Sequence, residues 1–329
     1  MQLLKYRDSD EARKTAPPCY DAIIIGGSFA GLSAAMQLAR ARRRIALVDA
    51  GLPRNRFAAH SHGFLGQDGK TPAEIVAVGR AQLGAYRTVD FIDGAAASAA
   101  GESGRFLVTM EDGRELRGAR LILAIGVRDE LPALPGLRER WGQTVLHCPY
   151  CHGYEVADQP LGVLAAHPMS SHQAALLPDW GPTTYFTQGE FEPDAEQAAL
   201  LTARGVRIER TPVTQLLGPA PRIDAVQLAD GRRLLVNALF VASRVHMASP
   251  LAMQLGCAFD EGLLGPYLRV DDFKQTTVPG VYAAGDASLQ MGNATLASAS
   301  GVMAGIGVHQ SLVRDDPVKC WRAQASRPV

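Results

Sequence analysis

The sequence lacks net charge. Across 329 residues, 33 Lys and Arg offset 33 Asp and Glu, so no whole-molecule field draws the chain toward nucleic acid or anionic lipid, and polyanions are not expected partners. Long apolar runs are missing near its start. Residues 1–20 carry Lys5, Arg7, Asp8, Asp10, Glu11, Arg13 and Lys14, which reads as neither signal peptide nor membrane anchor, and the expected location is the cytoplasm. Cysteine is scarce and odd in number: Cys19, Cys148, Cys151, Cys257 and Cys320 are no framework for a disulfide-stapled secreted domain. Tryptophans at Trp141, Trp180 and Trp321 are too dispersed for a binding box, and no internal low-complexity segment occurs.

What is present suits an ordinary globular protein. With 47% hydrophobic residues the chain can bury a full core, divided into about two units of roughly 150 residues each. Ala22–Ile25 reads as a short, β-branched, buried parallel strand that ends in glycine. The segment 32–42 has helix formers at helical spacing, and Ile45–Val48 is a second buried strand closing on Asp49. Together these make a βαβ unit. A hairpin is expected over residues 105–109 and 115–117 about Asp112-Gly113, then a separate strand over 121–126. A second strand-turn-helix starts at Leu161 and runs through Leu177 to a strand at 183–187. Another hairpin, 225–228 with 233–236, precedes a strand over 238–242. The fold class is therefore α/β with two nucleotide-binding units.

The first turn, Gly26-Gly27-Ser28-Phe29-Ala30-Gly31, has a physical role. Only a residue without Cβ lets backbone approach a pyrophosphate while the helix N-terminus supplies partial positive charge. Gly26 and Gly31 fill the outer positions of G-x-G-x-x-G, Ser28 stands in the middle one, and Asp49 is placed for the adenosine ribose hydroxyls. A tight strand-to-helix turn without ligand is the plain alternative. Near the other end, the strand over 278–284 runs into Gly285-Asp286. An acidic side chain there can bind a polyol, and the helix after it presents N-terminal amides near Ala294 and Thr295.

Cys148 and Cys151 form a lone Cys-x-x-Cys. Zinc would want a second matching pair, so redox chemistry is the better reading and no metal is expected. Pro149 suits the first turn of a helix, where its missing N–H costs nothing. A cysteine at that helix start would have its pKa lowered by the amide dipoles. His152 could serve as acid and base near neutral pH, or merely hydrogen-bond within the loop. His60 and His62 lie in a glycine-containing loop without a clear carboxylate partner and read as solvated or structural. Cys257 reads as a buried small residue.

The Gly26–Gly31 turn, the central Cys148-x-x-Cys151 and Gly285-Asp286, in that order across nearly the whole chain, resemble the thioredoxin reductase family of two-dinucleotide-fold flavoproteins. The resemblance implies two Rossmann-like, three-layer ββα units. One is an FAD-binding domain over 1–127 and 246–329, and the other is an inserted domain over 128–245 carrying Cys-Pro-Tyr-Cys. It implies FAD held by Gly26, Gly27, Ser28, Gly31, Asp49, Gly285 and Asp286, with Ala294 and Thr295 beside the flavin ring. Cys151 would exchange electrons with the flavin and Cys148 with the substrate sulfur, in a homodimer. The glutaredoxin tetrapeptide is the same, but glutaredoxins are small single domains.

Two departures shift the expected chemistry. The second turn reads Ala165-Ala166-His167-Pro168-Met169, with His167 where a glycine would admit a pyrophosphate. After the next strand come Gln188-Gly189-Glu190-Phe191-Glu192, acidic where a 2′-phosphate wants cations. A flavoprotein with a dithiol and a degraded nicotinamide site can pass electrons to oxygen. This combination, with the run from Cys148 to Glu155, resembles the natural-product dithiol oxidases of the gliotoxin, holomycin and romidepsin type, the romidepsin branch in particular. That resemblance implies a small-molecule dithiol as substrate and hydrogen peroxide as by-product. A disulfide reductase fed by NAD(P)H or ferredoxin, and a non-enzymatic flavin-binding sensor, stay open as alternatives.

Overall fold

The computed structural model describes residues 19–315; Cys320, Trp321 and the polar lead-in up to Pro18 lie outside them. The first half comprises β1 (Cys19–Ile25), α1 (Phe29–Arg40), β2 (Ile45–Asp49), α2 (Pro72–Gly84), β3 (Val89–Asp93), β4 (Ala96–Glu102), β5 (Arg105–Met110), β6 (Glu115–Leu123) and β7 (Val127–Glu130). Then come β8 (Val145–Leu146), α3 (Pro149–His152), β9 (Leu161–Leu164), α4 (Ser170–Leu176), β10 (Thr183–Phe186), α5 (Ala195–Ala203) and β11 (Arg207–Glu209). A small antiparallel sheet follows, β12 (Val213–Leu217), β13 (Ala225–Leu228) and β14 (Arg233–Leu235), and then β15 (Ala238–Val241) and β16 (Arg244–Met247). The chain closes with α6 (Leu251–Gln254), β17 (Phe259–Glu261), β18 (Pro266–Leu268), β19 (Val281–Ala283) and α7 (Ala294–Arg314).

Two central sheets result, each with parallel strands at its heart. One is seven-stranded in the order β3-β2-β1-β6-β5-β4, with β19 added beside β6; the other is five-stranded in the order β11-β10-β9-β15-β8, and every pair in it is parallel. The central strands are largely apolar, β9 and β15 along their whole length, because helices or a further sheet cover both faces. Ala22, Ile23 and Ile24 of β1 and all of β15 are buried. The chain crosses between the sheets through β7 and β16, which pair antiparallel. These are two nucleotide-binding folds of the three-layer ββα kind.

Residues 115–123 are one strand, not a hairpin arm followed by a separate strand. β6 pairs with β5 along its first half and with β19 along its second, while β1 lies on its other side. Arg120 disguises this continuity in the sequence. Its side chain is only 1% exposed and donates to the Ser311 hydroxyl at 2.9 Å and to Asp315 at 2.5 Å, so a charged residue occupies an interior strand position with its charge matched. Cys257 is buried, its thiol 3.6 Å from the Thr276 hydroxyl. Cys19 is disulfide-bonded.

α7 is long and apolar enough to span a bilayer by length and composition, but it is the core helix of the first unit. Gly301 packs so closely on α1 that a Cβ there would lie 2.1 Å from the Ala30 carbonyl oxygen. This contact sets Gly301, two turns into α7, level with the start of α1.

Candidate active site

The first glycine turn forms a cradle at the end of β1. Gly26 has φ +114°, and a Cβ would sit 2.1 Å from the Ala124 carbonyl oxygen; one on Gly31 would be 1.8 Å from the Gly26 oxygen. Ser28 is the N-cap residue of α1, yet its side chain makes no capping bond. The first amides of a 12-residue helix therefore face the turn without a side-chain partner, as an anion-binding helix start requires. Asp49 lies against this cradle, for a Cβ on Gly27 would be 2.4 Å from its carboxyl carbon. Its carboxylate accepts from the Gly51 amide at 3.0 Å and from Arg80 at 3.2 Å. Cradle, uncapped helix start and flanking acid fit the adenosine diphosphate part of FAD.

Asp286 follows β19, in the turn Gly285–Ser288. Arg54, in the turn Arg54–Phe57, donates to Asp286 at 2.9 Å and to both oxygens of Asp129 at 2.9 and 2.6 Å; Ser243 adds a bond to Asp129 at 2.8 Å. Burial opposes the Arg54 charge, but the two carboxylates outweigh it and raise its pKa. Burial likewise pushes against the Asp129 carboxylate, and Arg54 nevertheless holds it below its ordinary range. At the start of α7 the Asn293 side chain accepts from the Leu296 amide at 2.7 Å, rather than from those of Ala294 and Thr295.

The dithiol segment enters from the second sheet. Cys148 is the N-cap of α3 and Pro149 its first residue; Gly153 ends it, packed so that a Cβ would meet the Pro149 oxygen at 2.6 Å and the Trp180 ring at 2.9 Å. Tyr150 sets its ring edge-on to Trp180, 5.8 Å between centroids. Both cysteines are free and half-buried. Cys148 is the more acidic thiol: the Cys151 side chain hydrogen-bonds to it, the Cys151 and Tyr150 amides add to that, and Arg54 contributes its charge, against the cost of burial. Cys151 is raised, first by the same hydrogen bond, then by burial and by the Cys148 charge. The amides of the helix start thus add to the Cys151 hydrogen bond in lowering one thiol of the pair. Arg54 acts on both and Asp286 on Cys151, so the fold brings Cys148, Cys151 and Asp286 into one electrostatic neighbourhood.

His152 is half-buried, and burial lowers its pKa while Glu155 opposes that and His62 adds to it. The expectation that His62 lacks a carboxylate partner is wrong. Its Nδ1 lies 3.5 Å from Asp68 and its Nε2 3.4 Å from Glu155, a residue of the turn after α3. The sequence could not show this pairing, because Glu155 is distant in the chain. Arg54, Asp129 and Ser243 were missed for the same reason. Among the described residues no group of three or more His, Cys, Asp or Glu is placed to hold a metal ion.

The second turn is closed by its own side chains. The Ala166 and His167 amides both donate to the Ser170 hydroxyl at 3.3 Å, and the Met169 amide donates to His167 Nδ1 at 3.2 Å. Beyond β10, Gln188 is turned back to clamp the Val213 backbone at 2.8 and 3.3 Å. Of the arginines on this side, Arg232 is matched to Glu209 at 2.8 Å and Arg210 to Glu192 at 3.0 Å, while the Arg244 charge, after burial, lowers the His167 pKa.

The profile of the pyridine nucleotide-disulphide oxidoreductase family matches residues 20–178 and 181–301. Thioredoxin reductase aclD of Aspergillus oryzae is 31% identical over 319 residues, 92% of this chain and 100% of that protein. Among solved structures, an oxidoreductase from Agrobacterium tumefaciens is 52% identical with a TM-score of 0.86, covering 90% of this chain and 99% of that one. HlmI is 38% identical with a TM-score of 0.85, covering 93% and 96%.

Proposed function

The chain belongs to the pyridine nucleotide-disulphide oxidoreductase family and is an FAD-binding flavoprotein of its thioredoxin reductase-like branch, and from that premise we propose that it is a dithiol oxidase. Its substrate is a small-molecule dithiol of natural-product type, its final acceptor is oxygen, and no nicotinamide nucleotide takes part.

The observation that carries this reading is the second turn. In a nucleotide fold its amides receive the pyrophosphate. Here Ser170 and His167 already accept from them, and a nucleotide would have to displace both. Exposed Tyr150 and Tyr154, 70% and 84% accessible beside the cysteines, offer apolar surface to a small substrate.

One substrate thiolate attacks the Cys148 sulfur of the oxidised pair; the Cys148–Cys151 bond breaks and Cys151 leaves as a thiolate. The second substrate thiolate attacks the substrate sulfur of the mixed disulfide, closing the product disulfide and releasing Cys148 as a thiolate. The substrate loses two electrons and two protons; the cysteine pair gains the electrons. Arg54 stabilises both thiolates, and His152 takes a proton from the entering thiol. When bound, FAD accepts these electrons and delivers them to oxygen, so that dithiol plus oxygen gives disulfide plus hydrogen peroxide. Gly26, Gly27, Ser28, Gly31 and Asp49 would hold its adenosine diphosphate part. Gly285 and Asp286 would hold the ribityl side, with Ala294 and Thr295 beside the ring. We include a homodimer in the proposal, to be read from the mass in solution.

Anaerobic reduction tests the reading. Bleaching of the flavin by dithiothreitol but not by NADPH or NADH, followed by recovery of colour and peroxide on admitting air, is expected. Rapid bleaching by NADPH would instead establish a disulfide reductase, the reading that the name of the Aspergillus oryzae relative favours.

A further inference from the structure

Resting on the dithiol-oxidase reading, we propose that His62 is a positioning residue of the thiol chemistry, acting through Glu155 to set the charge that faces His152 and to carry protons between the dithiol and solvent.

The loop holding His62 is built, not loose. The Ser61 amide donates to the Lys70 oxygen at 2.8 Å and the Gly69 amide to the Ser61 oxygen at 2.9 Å. Phe64 packs edge-on against Phe29 at 6.0 Å, which ties the loop to the first turn of α1. Asp68 accepts from the Gly63 amide at 2.8 Å, so its carboxylate is fixed where it meets His62. The Ser61 hydroxyl is buried with no hydrogen-bond partner.

His62 thus has a carboxylate at each nitrogen, Asp68 on its own loop and Glu155 on the dithiol segment. A neutral imidazole offers one N–H, so both carboxylates are matched only by the protonated ring, and deprotonation leaves one of them facing a lone pair. The other ionisable groups facing this site are His60, 6.3 Å from His62 between ring centroids, and Glu74 of α2, which interacts with His60. From the dithiol side the facing group is His152.

Both carboxylates are more exposed than the imidazole between them. His152 is half-buried, the His62 side chain is 22% exposed, Glu155 39% and Asp68 66%. Oxidising a dithiol releases two protons as two electrons pass to the cysteine pair, and those protons have to leave a partly enclosed site. His152 accepts a thiol proton, Glu155 and His62 exchange it, and Asp68 returns it to water.

The test uses the FAD-loaded protein with His62→Asn and Glu155→Gln. His152 is followed by NMR titration, and flavin reduction by dithiothreitol is followed against pH. The expected results are a rise in the His152 midpoint in H62N, a fall in E155Q, and roughly tenfold slower reduction near pH 7 in each variant, restored in H62N by added imidazole. Unchanged His152 midpoints and wild-type pH profiles would overturn the inference. If wild-type flavin is not reduced by the dithiol at all, the oxidase reading fails, while the His152 midpoints still decide whether His62 and Glu155 set its charge. Should H62N lose FAD, E155Q carries the same test with the opposite shift.

Discussion

Arg54 and Asp129 are joined by two hydrogen bonds, of 2.6 and 2.9 Å, and the same guanidinium reaches Asp286 at 2.9 Å. One side chain therefore ties the crossing strand β7 to the Gly-Asp turn of the first sheet and sets its charge beside the cysteine pair. Arg54→Ala would leave Asp129, whose side chain is 7% exposed, with its charge unmatched. A loss of about 3–5 kcal/mol is expected, read as a lower thermal midpoint. The Cys148 thiol should also titrate higher in the variant, read by its alkylation rate against pH.

The glycine cradle gives a steric prediction. Gly31→Ala places a methyl 1.8 Å from the Gly26 oxygen, which no side-chain adjustment relieves because the neighbour is backbone. The variant should purify without flavin colour and lose about 1–3 kcal/mol of stability, or fail to accumulate folded.

Cys148 and Cys151 differ in acidity because the Cys151 thiol donates to the Cys148 sulfur, which favours the Cys148 thiolate and holds the Cys151 proton. In the reduced protein Cys148 should be alkylated first near neutral pH. Cys151→Ser should move the Cys148 titration, because a hydroxyl replaces the thiol bonded to it. Replacing either cysteine should abolish dithiol turnover and leave flavin absorbance intact; full turnover in both variants would refute the proposed mechanism.

Glu209 links pH to stability. Its side-chain hydrogen bonds with Arg232, helped by the Thr211 amide, push its pKa from 4.5 down to about 2. Since the folded value is the depressed one, this contribution is complete above pH 4.5 and fades as pH falls toward 2. Arg232→Ala should lower stability near neutrality. It should also flatten the acid limb of the stability curve, measured by urea unfolding at several pH values.

Local signals were enough where chemistry and chain position coincide. The glycine turn after β1 needs absent Cβ atoms, Asp49 ends the next strand, and Cys148 with Pro149 begins a helix, so each was legible from a few consecutive residues. Continuity of β6 was not, since Arg120 looks like a break until Asp315 and Ser311 are seen beside it.

The sequence by itself determined the two nucleotide-binding folds, the dithiol and the altered second turn, because hydrophobic period, glycine and residue size act over short stretches. Only the tertiary structure decided how that turn is closed, by Ser170 and His167 accepting its amides. It alone brought Arg54 to Asp129 and Asp286, and His62 to Glu155. Electrostatic partners such as these are set by distance in space, and no short stretch of sequence shows which loops will meet.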